Sequence, residues 1–376
     1  MAGDLALKDV HMTSRERVLA ALDHRQPDRT PFAWGFGPTA EMETVLSQWL
    51  AQRSLDWPKF RQAVSDTIVC EPEYIGPPLK PGQPVYVGVW GIDTKTVSYG
   101  AGAYEEFVGH PLAGLENPAE LDTIHWPNAD WFDYGSLVRR RSQLDPEGLK
   151  ALQIFCSSSG NPFEIYCWMT GMEEAMINLL TNPELVAAAL DRICECFEKK
   201  LERCAEALNG GIDLVHFADD LGSQEGLLFS RDSYREVIQP FHQRLTAHAR
   251  RILPSAKRML HTDGAVFDIL PDVINSGFDV LEAVQTDAAG MIPERLKEHY
   301  GNALSFHGGI PVQSLLPHGD VVTVRSECLR LCEALGCGGG YIAAPTHAIQ
   351  AGTPPENIWT MLETVLGEET LREALQ

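Results

Sequence analysis

Arg258-Met259-Leu260-His261-Thr262-Asp263-Gly264 is the stretch on which the reading of this chain turns. A short run with an apolar centre, Met259-Leu260, ends in a histidine, and a carboxylate follows two residues later. Residues two apart in a strand point to one face, so His261 and Asp263 aim an imidazole and a carboxylate at a common point. Glu282, His307 and His347 also follow short apolar runs. The pattern predicts strands whose ends are gathered into one polar site.

Outward from that stretch the chain alternates between strand-like and helix-like segments. Strands are expected over residues 30–36, 66–70, 152–156, 213–217, 258–261, 279–284, 303–307 and 341–344. Helices separate them. Thr13-Ser14-Arg15-Glu16 is a capping-box sequence that opens the first helix, and Asn182-Pro183 opens a long one that stops at Asn209-Gly210-Gly211. Eight strands with helical crossovers predict an α/β fold of the (β/α)8 TIM-barrel type, with its active site at the carboxyl ends of the strands. An open doubly wound sheet is the rival, but no Gly-x-Gly-x-x-Gly follows the first strand.

The rhythm breaks between residues 74 and 134. Pro77, Pro78, Pro81 and Pro84 mark a loop, and runs at 85–90, 94–99 and 104–108 alternate like antiparallel strands, with Gly100 and Gly102 between two of them. This inserted antiparallel β segment follows the second strand and is expected over the barrel mouth as a lid or dimer surface. The whole chain, 1–376, reads as one barrel domain.

Composition limits the partners. Of 376 residues 52 are acidic and 30 basic, a formal net charge of −22, which repels nucleic acid and anionic membrane surfaces. The opening residues, with Asp4, Lys8 and Asp9, lack the apolar core of a signal peptide, and no run approaches a membrane span, so the expected location is cytoplasmic. Nine cysteines without a regular framework fit reduced thiols.

Polar residues should concentrate just after the strands. They are Asp66 with Glu71, Ser157 to Asn161 with Glu164 and Tyr166, His216 with Asp219 and Asp220, His261 with Asp263, Glu282 with Gln285, His307, and Thr346 with His347. Asp219 and Asp220 are adjacent, so one should face the cavity while the other caps the following loop. Gly308-Gly309 is placed for close approach of a ligand, whereas Gly338-Gly339-Gly340 precedes the last strand and belongs to the opposite face. His261, Asp263 and His347, with Glu282 or His307 near, suit a divalent metal such as zinc; hydrogen bonding of neutral histidines to Asp without metal is the alternative.

These residues resemble the uroporphyrinogen decarboxylase superfamily. The resemblance runs through Ser14 to Val18, Pro27-Asp28-Arg29, Glu73 to Pro78, His261 to Gly264, His307 to Ile310, Gly338 to Ile342 and Ala344 to His347. It implies a (β/α)8 barrel and a homodimer. For the decarboxylase branch it implies no cofactor and catalytic roles for Asp66 and Tyr166, with His347 at the last-strand histidine. That branch also carries an arginine-rich segment after the first strand, and here residues 30–41 contain no Arg or Lys. For the methyltransferase branch it implies a small-molecule substrate and a corrinoid (cobalamin) carried by a partner protein. Where coenzyme M-type members place His-x-Cys and a later Cys as zinc ligands, this chain has His261-x-Asp263 and His347. A harder His/Asp set suits an oxygen or nitrogen substrate, with Asp219, Asp220 or Glu282 as acid. Trp34 and Phe36 with His216, Gln285 and His307 are then expected to bind a compact or aromatic compound. The leading expectation is methyl transfer from a small methylated compound to a corrinoid protein; the alternatives are decarboxylation of uroporphyrinogen or another carboxylated ring, and a non-catalytic ligand-binding barrel.

Overall fold

The computed structural model describes residues 11–98, 103–373 and 375. Asp4, Lys8 and Asp9, and the glycines at 100 and 102, lie outside them. Seven strands form one parallel sheet in sequential order: β1 (Thr67–Cys70), β2 (Ala151–Ile154), β3 (Leu214–Ala218), β4 (Lys257–His261), β5 (Val280–Ala283), β6 (Ser305–Ile310) and β7 (Tyr341–Pro345). Their burial on both faces is what a parallel sheet wrapped in helices requires.

The eighth place is filled without a regular strand. The expected strand at 30–36 makes one parallel bridge, Phe32 to Ala343, and on its other side a single backbone bond, from Asp66 N to Phe32 O at 2.8 Å. The ladder therefore does not close. Pro31 lacks the N–H a ladder needs, and Gly35 and Gly37 take positive φ, so the chain turns away after Trp34.

Register decides which side chains share the interior. Met259 and His261 pair with Val280 and Glu282, and those two pair with Ser305 and His307. Gln153 pairs with Leu214, two residues before His216. The lower interior is apolar: Ala151, Leu214, Met259, Val280 and Ile342 pack with Val18 and Leu22 of the capped helix Ser14–Leu22, which plugs the amino-terminal end. One step up each strand from β2 to β6 the same face becomes polar, at Gln153, His216, His261, Glu282 and His307. A single parity rule thus places core and site in stacked layers.

Acids that precede strands sit at the plugged end. Asp66 accepts from Arg17 at 2.8 Å and from Arg29 at 2.7 Å, Asp213 from Arg15 at 2.8 Å, and Asp279 from Arg258 at 2.6 Å. This corrects the catalytic expectation for Asp66: it lies at the start of β1, fully buried among cations, away from the strand ends.

The insertion holds an antiparallel hairpin, Asp93–Ser98 with Ala103–Gly109. The strand expected at 85–90 is instead a short helix, Val85–Gly88, because Pro84 starts a turn and Val87 and Trp90 bury together. The helix that starts after Ser230 is interrupted just before Pro240 by a π-helical turn at Tyr234–Ile238. None of the nine cysteines is paired. Among the described residues no helix is long and apolar enough to cross a membrane.

Candidate active site

Three neighbouring strands deliver His261, Glu282 and His307 side by side, and β3 adds His216. Glu282 is the hub. Its Oε2 lies 2.5 Å from His216 Nε2 and 3.3 Å from His261 Nδ1, and its Oε1 lies 3.5 Å from His307 Nδ1. All four side chains are buried. Burial opposes the Glu282 charge, but the His216 and His261 rings hold its carboxyl well below the usual range. Burial also opposes a charged His261, yet the close approach and charge of Glu282, with Asp263 and Asp220 behind it, push that imidazole up to about 10. His307 goes the other way, to about 4, because burial outweighs the Glu282 charge.

On its outer side His261 meets the mouth. Its Nε2 lies 4.0 Å from Asp220, which also accepts the Asp263 backbone N–H at 3.0 Å. Burial pushes the Asp263 carboxyl up against the pull of His261. Two sets of donors therefore share His261: His216, His261 and Glu282 deep in the barrel, and Asp220, His261 and Asp263 at its mouth, each with ligand atoms within 4.8 Å of one another. Nδ1 of His216, Nδ1 of His261 and both ring nitrogens of His307 are buried without a well-aligned hydrogen bond among the described residues, so Glu282 meets His261 as a charge contact at 3.3 Å. Nitrogen and carboxylate oxygen donors at this spacing fit a divalent ion of borderline or hard character.

The Asp219-Asp220 pair divides its work. Asp219 is fully buried and accepts from Phe163 N at 3.1 Å, Glu164 N at 2.6 Å and His242 Nε2 at 2.7 Å, capping the helix Pro162–Thr170. It is structural, and Asp220 is the one that faces the site. We expect Asp219→Asn to cost about 1.5–3 kcal/mol, the range for hydrogen bonds to a charged group, measured as a shift in the urea midpoint.

Phe36 is the platform of the mouth. It meets His261 edge-on at 4.9 Å, stacks on His347 at 4.9 Å and packs against Phe155 at 5.4 Å, while Phe155 lies 4.8 Å from His216. His347 lies outside both donor sets: its ring is stacked on Phe36, 6.3 Å from His261 between centroids, close enough to Asp263 for its charge to pull that carboxyl down against burial. Trp34 faces outward, its indole donating to Arg61 O at 2.9 Å and packing edge-on to Trp57. Gln285 holds the loop after β4, accepting from Gly264 N at 2.9 Å. Gly264 is needed there because a Cβ would come within 2.5 Å of Ser223 O. Gly308 likewise serves packing and not a ligand, since its Cβ would strike Ala283 O. Tyr166 is a core residue; its hydroxyl accepts from Asn178 at 3.2 Å, and none of its contacts reaches the cluster.

Glu164 is the residue the sequence undervalued. Half-buried beside Asp219 and Asp220, its carboxyl is pushed up to about 8, first by burial and then by those two charges, so it is largely neutral at pH 7. Asn161-Pro162 marks the helix start that places it, but the crowding of acids that keeps it protonated is a tertiary effect.

A sequence profile of the uroporphyrinogen decarboxylase (URO-D) family matches residues 148–367, from just before β2 through β7. None of the curated proteins compared matches the chain. Among solved structures, a methyltransferase from Methanosarcina mazei is similar in fold: 19% identical, covering 96% of this chain and 99% of its own, with a TM-score of 0.66. Native xylanase 10B from Thermotoga maritima is a looser match, 11% identical over 68% of this chain and 86% of its own, with a TM-score of 0.40. With a profile match over more than half its length, spanning six of the seven strands and every residue of both donor sets, the chain belongs to the uroporphyrinogen decarboxylase (URO-D) family.

Proposed function

We propose that this URO-D family protein is an enzyme that transfers a methyl group from the oxygen or nitrogen of a small methylated compound to a corrinoid carried by a partner protein. The observation that carries the reading is the donor set Asp220, His261 and Asp263 at the mouth, in a chain whose segment 30–41 offers Phe36 and no cation. The many carboxylates of a porphyrinogen would find no cation in that segment to pair with, and desolvating them unpaired is costly.

A divalent ion such as zinc would be held by Asp220, His261 and Asp263, displacing the Nε2 proton of His261, and would supply Lewis-acid polarisation of the substrate oxygen or nitrogen. Phe36 and His347 present an apolar, stackable surface to the substrate and exclude water. Glu282 fixes the His261 ring through Nδ1, leaving Nε2 turned to the mouth. Glu164 donates its proton to the leaving oxygen or nitrogen as the bond to the methyl carbon breaks. Methyl carbon and bonding electrons balance: the electron pair of the broken bond stays on the leaving atom, and the new bond uses the electron pair of the reduced corrinoid.

The test is to follow demethylated product from a panel of methyl ethers and methylamines with the purified protein. Product that forms only when reduced corrinoid is present supports methyl transfer. Release of carbon dioxide from uroporphyrinogen, with no demethylation of any donor, overturns it.

A further inference from the structure

The missing eighth ladder leaves an opening in the barrel wall. Beyond the bond from Asp66 to Phe32, no backbone hydrogen bond among the described residues joins segment 33–36 to β1. A cavity of about 700 Å³ occupies this seam. It is lined on the inside by Thr67, Val69 and Gln153, which share the interior parity, and on the outside by residues of the helices Trp57–Val64 and Gly135–Leu144. The cleft therefore runs through the wall.

Its inner end reaches the cluster. Gly35 lines the cleft, and a Cβ there would lie 3.8 Å from Glu282 Oε1, so no side chain of that residue stands between them. Phe36 and Phe155 line the same end and are the rings that touch His261 and His216. The outer end is cationic. Lys59 and Arg140 line it from different helices, both exposed and both without an ion-pair partner among the described residues. Arg61 is paired with Glu43 at 2.6 Å, and Glu71, also in the lining, accepts from the Ser157 hydroxyl while burial raises its carboxyl against the pull of the Lys200 and Arg140 charges. Three cations and two acids thus line the cleft, an excess of one positive charge that favours an anion in a chain of net charge −22. The volume suits a small molecule.

We infer that the methyl donor enters through this seam, and that it is a planar aromatic carboxylate whose acid group pairs with Lys59 and Arg140 while its ring lies along the aromatic walls toward Phe36. The inference rests on the methyl-transfer reading for the identity of the donor, but not for its binding. Side entry leaves the mouth clear for a macromolecular methyl acceptor.

Binding separates the two. The full chain is titrated with 4-methoxybenzoate and with uncharged anisole, read by the fluorescence of the tryptophans at 34 and 57. Expected results are saturable quenching by the acid, at least tenfold tighter than by anisole, and at least tenfold weaker binding of the acid to the double variant Lys59→Gln, Arg140→Gln. Glu363→Gln, a surface change away from the cleft and the cluster, should bind the acid as the unaltered chain does. Both cationic side chains are exposed, so the double variant should fold, which circular dichroism checks. Equal binding of acid and anisole, or binding unchanged in the double variant, would overturn the seam site. Tight binding without any demethylation would sustain the site and sink the methyl-transfer reading.

Discussion

Glu164→Gln should lower turnover about 100- to 10,000-fold, the range for loss of a positioned general acid, with little change in substrate affinity. The reason is the state of the proton. Burial and the charges of Asp220 and Asp219 push this carboxyl up to about 8, so below that pH it is ready to donate. Turnover should therefore be level through neutrality and fall as pH rises through about 8, and that basic limb should vanish in the Gln variant, which no longer titrates. Stability gives a second readout. The folded chain holds this proton more tightly than the unfolded chain, whose carboxyl titrates near 4.5, so its contribution falls as pH rises between 4.5 and about 8. Glu164→Gln should flatten that decline, measured by denaturant unfolding at several pH values. A basic limb that persists unchanged in the Gln variant would remove Glu164 from the chemistry.

Glu282→Gln is expected to reduce turnover or metal affinity roughly 10- to 100-fold, as loss of a carboxylate that orients a ligand histidine does. It should also lower stability by roughly 3–5 kcal/mol, because removing one partner of a buried ion pair strands the other. In this barrel the stranded group is His261, whose raised pKa depends on Glu282. The imidazole of His261 should then titrate nearer its ordinary range, which its proton NMR signals would report. If His261 keeps its raised pKa in the Gln variant, the hub is Asp220 or Asp263 instead.

Much of this site could be read from the chain because strand parity is a local property. His261, Glu282 and His307 each end an apolar run, and the same parity that buries Met259, Val280 and Ser305 turns them inward. That Asp219 and Asp220 would part was legible for the same reason, but not which of them would bury, nor that Asp219 would cap the earlier helix Pro162–Thr170 instead of the following loop. Asp66 misled because an acid beside a strand reads alike at either end, and only the partners Arg17 and Arg29 reveal the plugged end. That His347 would stack on Phe36, with its ring 6.3 Å from that of His261, is a tertiary fact the chain does not show. Tyr166 was placed by resemblance, and the helix Pro162–Thr170 turns it into the core. The seam was not legible: the residues at 30–36 have strand-like composition, and their failure to pair with β1 is a property of the assembled barrel.

The most direct measurement is the cobalt absorption spectrum of reduced cobalamin mixed with the purified protein and a methylated donor, recorded before chelation, after chelation and after zinc is returned. Conversion to methylcobalamin should require protein and donor together, stop on chelation, resume with zinc, and be absent in His261→Ala. Methylation that continues at full rate in chelated, metal-free protein, or no spectral change with any methyl ether or methylamine, would contradict a metal-assisted methyl transfer at His261.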